Sequence, residues 1–227
     1  MGASAPEALA MQPVRFEYTP RSLVRAQAQI HRHLLVFVVV VILVHLLALL
    51  LLDHLLTRPD WPRIAKALVD TSGHAGSAGA AWLTGKALDL IRHGRVIRAL
   101  LQAIICAILA SLMDLDHFFH ASRWSLTAAT SLSTRPWLHS LPVAIAAALL
   151  LSYVAHRCNV AGAHRDTFLL PLTAVLTHQL RDAHRRGLWL YPLAGGASIP
   201  ISYTFYLTFN VAIWPAVLAQ LSRWSPG

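Results

Sequence analysis

One stretch of the chain decides what kind of molecule it can be. "LLVFVVVVILVHLLALLLL", Leu34 to Leu52, runs for 19 residues without a formal charge. About 20 apolar residues are needed for a helix to cross roughly 30 Å of hydrocarbon. A signal-peptide core is shorter than this, and no small-residue cleavage site follows, so the run is expected to be a retained membrane helix. The whole chain agrees: 56% of its 227 residues are hydrophobic and 13% are charged, against about 25% charged in soluble domains. The net charge of +9 suits anionic headgroups, and no nucleic-acid motif accompanies it. Cys106 and Cys158 lie in or beside apolar stretches and suit neither a disulfide nor a thiolate metal site.

Five further helices are expected, giving an all-α, polytopic bundle of five to six membrane spans. They are "RIAKALVDTSGHAGSAGAAWLTGKALDLI", "VIRALLQAIICAILASLM", "LPVAIAAALLLSYVAH", "TFLLPLTAVLTHQL" and "ISYTFYLTFNVAIWPAVLAQL". The first of these is the weakest and the one expected to be short or broken. Its Gly/Ala/Ser centre permits close packing inside the bundle. Pro171 and Pro215 are expected to kink the last two. Three regions result: a mostly disordered basic tail over 1–33, with a short interfacial helix before the first span, the bundle over 34–222, and a short tail over 223–227. Trp61, Trp137, Trp189 and Trp224 fall near span ends, as an interfacial aromatic belt does. A small excess of Lys and Arg on the side of the N-terminus favours a cytoplasmic N-terminus.

With six up-and-down spans, polar residues from four helices reach one membrane face. Asp70 and His74 start the second helix, Asp114, Asp116 and His117 end the third, His139 opens the fourth, and His178 and Asp182 close the fifth. Asp70/His74 and His178/Asp182 are spaced i,i+4, and Asp114/His117 i,i+3, so each pair shares one helical face. Asp116 is off that face unless the helix has ended. Ionisable groups at membrane depth are costly and commonly functional, and bundle metal sites are built from carboxylates and histidines projecting inward from several helices. The expected ligands are Asp70, His74, Asp114, His117, His139 and His178. Without a thiol, the donors suit zinc, manganese or iron. His45, in mid-span, is expected to be a hydrogen-bonded interhelical residue, and His120 and His184 are neighbours off the shared faces.

"DLDHFFHASRWSLTAATSLSTRPWLHS" and "THQLRDAHRRGLWLYPL", with "WPRIAKALVDTSGH" upstream, resemble the transmembrane protein 267 family over roughly Trp61 to Pro192. A more distant likeness is to the bacterial YdjM-like inner-membrane proteins, classed by inference as metal-dependent hydrolases. Their early His, D-x-D-H, H-R-x-x-x-H-S and S-H-x-x-x-D motifs are similar to His74, to Asp114, Asp116 and His117, to Arg135, His139 and Ser140, and to His178 and Asp182. The leading His of the third motif is Thr134 here.

The sequence and this resemblance together imply a membrane-embedded, metal-dependent hydrolase acting on an amphiphilic or lipid-like substrate, or an inactive relative of one. A bound metal lowers the pKa of its water towards 7, with Asp116 or Asp182 as general base. Arg135, Arg181 and Arg185 are the candidates for holding an anionic lipid or lipid phosphate. The competing expectation is a non-enzymatic scaffold or assembly protein whose metal closes a structural shell. A transporter would need repeated halves or paired broken helices, and neither is present in the sequence. The bilayer is the expected partner, in an endomembrane or the plasma membrane.

Overall fold

The computed structural model describes residues 20–93, 95–158 and 164–223. Its helices are α1 (Pro20–Leu56), α2 (Arg63–His93), α3 (Val96–Leu112), α4 (Asp116–His120), α5 (Leu126–Ala129), α6 (Leu141–Arg157), α7 (His164–Arg186), α8 (Tyr203–Thr208) and α9 (Trp214–Arg223). Short 3-10 turns, Met113–Leu115 and Trp137–His139, precede α4 and α6, and a π turn over Phe209–Ile213 joins α8 to α9. The π turn lies just before Pro215, which has no N–H to return to the carbonyl four residues back. No strand occurs among the described residues, and only isolated bridges tie Trp189 to Ser140 and Ala197.

The helices sort by polarity. Three stretches are long and apolar enough to cross a membrane: Leu35–Leu56, Val96–His120 and Tyr203–Leu221; Leu141–Arg157 is apolar but shorter. The helices α2 and α7 are long but not apolar enough for that class. They occupy the middle: α2 packs on α1, α3, α7 and α9, and α7 packs on α2, α3, α6 and α8. Large apolar side chains of α1, α3 and α6 face outward, among them Leu43, Leu47, Ile97, Ile104, Leu150 and Val154. Polar helices at the centre and apolar helices at the rim are what a lipid solvent demands.

Small residues make the centre possible. Ala78, Ala81, Ala103, Cys106, Ala110 and Ala174 form the main buried cluster with Trp82, Leu169, Trp214 and Leu218. A Cβ at Gly79 would lie 3.3 Å from the Ala103 carbonyl oxygen of α3, and one at Gly85 2.6 Å from Leu218 Cβ of α9. One at Gly73 would overlap the Arg181 guanidinium of α7. Thus α2 touches three neighbours through three glycines, and the helix expected to be short or broken is continuous for 31 residues.

One other expectation changes. Helix α1 begins at Pro20, so the boundary drawn at residue 34 falls inside a helix, while residues 1–19 of the expected tail lie outside the described residues. Helix α7 runs through Pro171 without interruption. Trp224 and the last residues also lie outside the described residues.

Candidate metal centre

The stretch after α3 determines the site. At Met113 the helix tightens into a 3-10 turn and restarts as α4 at Asp116. This turn changes the angular step between side chains, so Asp114, Asp116 and His117 all reach the interior. Ser125 caps α5 by accepting the Ala128 N–H at 3.2 Å, and α5 ends by presenting the Ala129 carbonyl to His117 Nδ1 at 3.1 Å. His139 sits on a turn entered through Pro136. That turn is fixed by the Leu138 N–H donating to Asp116 Oδ2 at 2.8 Å and by Gln179 Nε2 donating to the Leu138 carbonyl at 2.7 Å. Next to it, Ser140 Oγ donates to the Tyr191 carbonyl. Gly187, at φ +75°, closes α7 with its N–H on the Ala183 carbonyl, 2.9 Å away.

Three imidazoles consequently aim the same nitrogen at one centre. His117 Nδ1 and His178 Nδ1 lie on the carbonyls of Ala129 and Ala110, at 3.1 and 2.8 Å. A carbonyl only accepts, so these Nδ1 atoms carry the protons and each Nε2 is left with a lone pair. His139 Nδ1 faces Asp116 Oδ1 at 3.4 Å. The His139 Nε2 atom is 3.3 Å from that of His117 and 3.4 Å from that of His178. Two carboxylates close the group. Asp114 Oδ1 lies 3.5 Å from His139 Nε2 and 3.7 Å from His178 Nε2; Asp182 Oδ2 lies 3.2 and 3.9 Å from the same atoms. His74 stacks on His178 with centroids 3.8 Å apart and has its Nε2 3.6 Å from Asp182 Oδ1. Both His74 ring nitrogens are buried without a hydrogen-bond partner.

Three overlapping triads have ligand atoms within 4.8 Å of one another: His74/Asp114/His178, Asp114/His117/His139 and His139/His178/Asp182. Donors about 2.0–2.1 Å from a tetrahedral ion stand about 3.3 Å apart. The separations among Asp114, His139 and His178, and among His139, His178 and Asp182, 3.2 to 3.9 Å, are of that order. Burial disfavours a charged imidazole at His139, but Asp114, Asp116 and Asp182 outweigh it and push its pKa up to about 11. The carboxylates thus call for a cation, and without a metal the His139 proton supplies it. A cavity of about 340 Å3 opens on Asp114, His117, His139 and Asp182.

Comparison with known proteins accords with the fold. Transmembrane protein 267 of Danio rerio is 30% identical over 166 residues, which are 71% of this chain and 70% of that protein. The chain belongs to the transmembrane protein 267 family. The proteins of that name from Mus musculus and Xenopus laevis are 32% and 30% identical over 112 and 120 residues, spanning 51% and 54% of their lengths. No family model matches the chain, and no solved structure does. The likeness to the YdjM-like proteins rests on the motifs alone. The protein is an integral, multi-pass membrane protein, and a lipid bilayer is its surrounding.

In this member of the transmembrane protein 267 family, six expected residues meet: His74, Asp114, His117, His139, His178 and Asp182. Asp70, expected as a ligand, is set apart. Arg185 holds both its oxygens, at 2.8 and 3.2 Å, and its Oδ1 stays 3.7 Å from His74 Nε2. Asp116, expected as a base, is occupied by Leu138 and His139 and orients the imidazole. The expected anion-binding arginines are also engaged. Arg135 donates to the carbonyls of Gly187 and Arg186, Arg181 pairs with Asp53 and donates to Tyr206, and Arg185 donates to Asp70 and Asp182. His45 is buried, yet neither ring nitrogen has a hydrogen-bond partner. His120 bonds the Asp116 carbonyl and His184 the Arg181 carbonyl, away from the triads. Sequence reasoning missed Asp53, which balances the fully buried Arg181; the signal was an acid placed directly after the uncharged run.

Proposed function

We propose that this protein binds a divalent metal, zinc, manganese or iron, through Asp114, His139, His178 and Asp182, and that the site is hydrolytic towards an amphiphilic substrate. The carrying observation is the convergence of three Nε2 atoms, each imidazole held from behind, on two carboxylates beside a cavity. Acceptors placed behind the ring in this way fix the tautomer and orientation of metal-binding histidines. The donors are nitrogen and oxygen only, and Cys106 is turned to the Leu170 carbonyl instead. The partnerless nitrogens of His74 beside the Asp182 carboxylate mark the direction in which a second ion would extend the site.

A divalent ion held there lowers the pKa of a coordinated water towards 7. The protein supplies the remainder. Asp116 and the Leu138 turn hold His139 in register. His117, half-buried on the cavity wall with its Nε2 lone pair 3.3 Å from His139 Nε2, accepts a proton, and Asp182 takes the role of ligand more readily than that of base. Arg135 braces the end of α7 against the α6 entrance. A six-span arrangement, with α2 and α7 crossing inside a ring of apolar helices, sets this end of the bundle at the bilayer surface. The cavity favours an open catalytic site over a closed structural shell, which leaves no position for water. Protein reconstituted in lipid nanodiscs tests the reading: turnover of chromogenic carboxylic and phosphoric esters with loaded and chelator-stripped protein. Metal-dependent turnover that is lost in Asp114→Ala supports a hydrolase. Stoichiometric metal without turnover of either ester class supports the scaffold.

A further inference from the structure

A second, larger cavity of about 760 Å3 lies where the end of α1, the start of α2, the end of α7 and the start of α8 come together. Ala67, Asp70 and Thr130 line both this cavity and the one over the His/Asp cluster. The two are neighbours across a thin wall, and a volume of this size accommodates a small-molecule ligand.

Its charges are unevenly matched. Asp53 faces Arg181 Nη1 at 2.8 Å and accepts from Tyr203 Oη at 3.1 Å. Asp70 is held by Arg185. The acids of the wall are thus neutralised from within the fold. Arg63 and Lys66 are not. They stand i,i+3 at the start of α2, both line the cavity, and neither has a carboxylate within 4.0 Å among the described residues. Arg185 adds a buried Nε–H without an acceptor. Leu50 and Leu56 form an apolar side of the same cavity, and they belong to the last turns of the Leu35–Leu56 span. A ligand there meets two unpaired cations at one end and a membrane helix at the other.

We propose that this cavity is the head-group subsite for a phosphate-bearing amphiphile, with Arg63 and Lys66 binding the phosphate and the tail following α1 into the bilayer. As a statement about substrate it rests on the hydrolytic reading of the adjoining cluster; as a binding site it stands separately. Phosphate is favoured because its oxygens accept from an Arg fork and a Lys ammonium together. A lipid source is favoured over free phosphate because the apolar side of the cavity continues the face of a membrane-length helix. The amphiphile enters from the leaflet with its phosphate beside Asp70 and its adjoining bond towards the cavity lined by Asp114, His117 and Asp182.

The test uses the full chain in zwitterionic nanodiscs, with metal measured in every sample. Phosphatidic acid is titrated into one arm and inorganic phosphate into the other. The expected result is retention of phosphatidic acid that weakens about tenfold or more in Arg63→Gln/Lys66→Gln, since charge-assisted hydrogen bonds are the strong ones. Lys66→Arg, which keeps the cation, should retain most of the binding. Metal content should not change in either variant. Equal retention by wild type and the double variant, or binding of inorganic phosphate alone, would overturn the proposal. Retention that depends on these cations in a protein without metal keeps the subsite and removes the hydrolase. Bound metal with cation-independent retention does the reverse.

Discussion

The two ends of the α2–α3–α7 core hold similar residue types in opposite states. At one end, Lys86 of α2 pairs with Asp166 of α7, and Gln102 of α3 donates to the second oxygen of that carboxylate at 3.0 Å. At the other, His74 of α2, Asp114 after α3 and His178 of α7 gather with Asp182 and His139. The ends are twelve residues apart on each helix, or about 18 Å at 1.5 Å per residue. The far end is balanced: a buried ammonium and, 3.6 Å from Oδ2, the partly exposed Arg98 guanidinium face one carboxylate, with an amide to fill the remaining valence. The cluster end is in deficit: several carboxylates, Arg185 shared between Asp70 and Asp182, Arg181 shared between Asp53 and Asp70, and imidazoles whose lone pairs point inward. A balanced buried set holds helices together, whereas an unbalanced one facing a cavity is where an added cation would be stabilising.

Breaking each end should therefore give different losses. Lys86→Met leaves Asp166 facing the partly exposed Arg98 at 3.6 Å in place of the buried ammonium and is expected to cost up to about 3–5 kcal/mol, read as lowered stability in detergent unfolding. Lys86→Met/Asp166→Leu should recover most of it, because removing both partners leaves no buried charge. Metal content per folded molecule should stay at the wild-type value in both. If Lys86→Met also empties the protein of metal while folded, the two ends are not independent.

Gly73→Ala is the next largest. Its methyl group would overlap the Arg181 guanidinium, and overpacking of this kind costs about 1–3 kcal/mol. Because Arg181 is tied to Asp53 and Tyr206, the loss should appear as loosened α1–α7 packing in hydrogen exchange, and unchanged exchange there would contradict the contact. Asp116→Asn tests the cluster more gently. It keeps the volume and removes the charge behind His139, and orienting partners of this sort are worth about 10–100-fold in metal affinity. An unchanged affinity would mean that Asp116 only fills space.

The smallest effect is a pH dependence. His139 is raised to about 11 by the surrounding carboxylates, from an ordinary value of 6.5. In stripped protein, the stabilisation from its proton is complete below about 6.5 and is lost as pH rises towards the folded value. A metal replaces that proton, so loaded protein should lose less stability over the same rise. Parallel thermal-stability profiles for the two forms would argue that the ion and the proton do not share the site.

Much of this was readable from the residues, and the reasons for the remainder are physical. Apolar runs marked the helices because lipid selects composition directly, and i,i+3 and i,i+4 spacing marked which polar groups share a face. The number of spans was less legible. Interior helices such as α2 and α7 are largely covered by their neighbours, which relaxes the demand for an apolar sequence, and Lys86, Asp166 and Arg181 are buried in them. The pairing of Lys86 with Asp166, 80 positions away, left no local trace. Asp70 had the same spacing signal as Asp182, yet Arg185 captured it. Asp116 depended on a 3-10 turn that no periodicity announces. The unpaired Arg63 and Lys66 could be recognised only once the other cations had been assigned partners.

The central claim is that the unbalanced end holds an ion. Metal analysis of the full chain, purified from membranes without chelator, tests it most directly when run beside His178→Ala, Asp114→Ala and His45→Ala. The account predicts about one or two divalent ions per chain in the wild type and in His45→Ala, and none in the two cluster variants. Metal-free wild type that cannot be reloaded with zinc, manganese or iron, or full retention in both His178→Ala and Asp114→Ala, would contradict it.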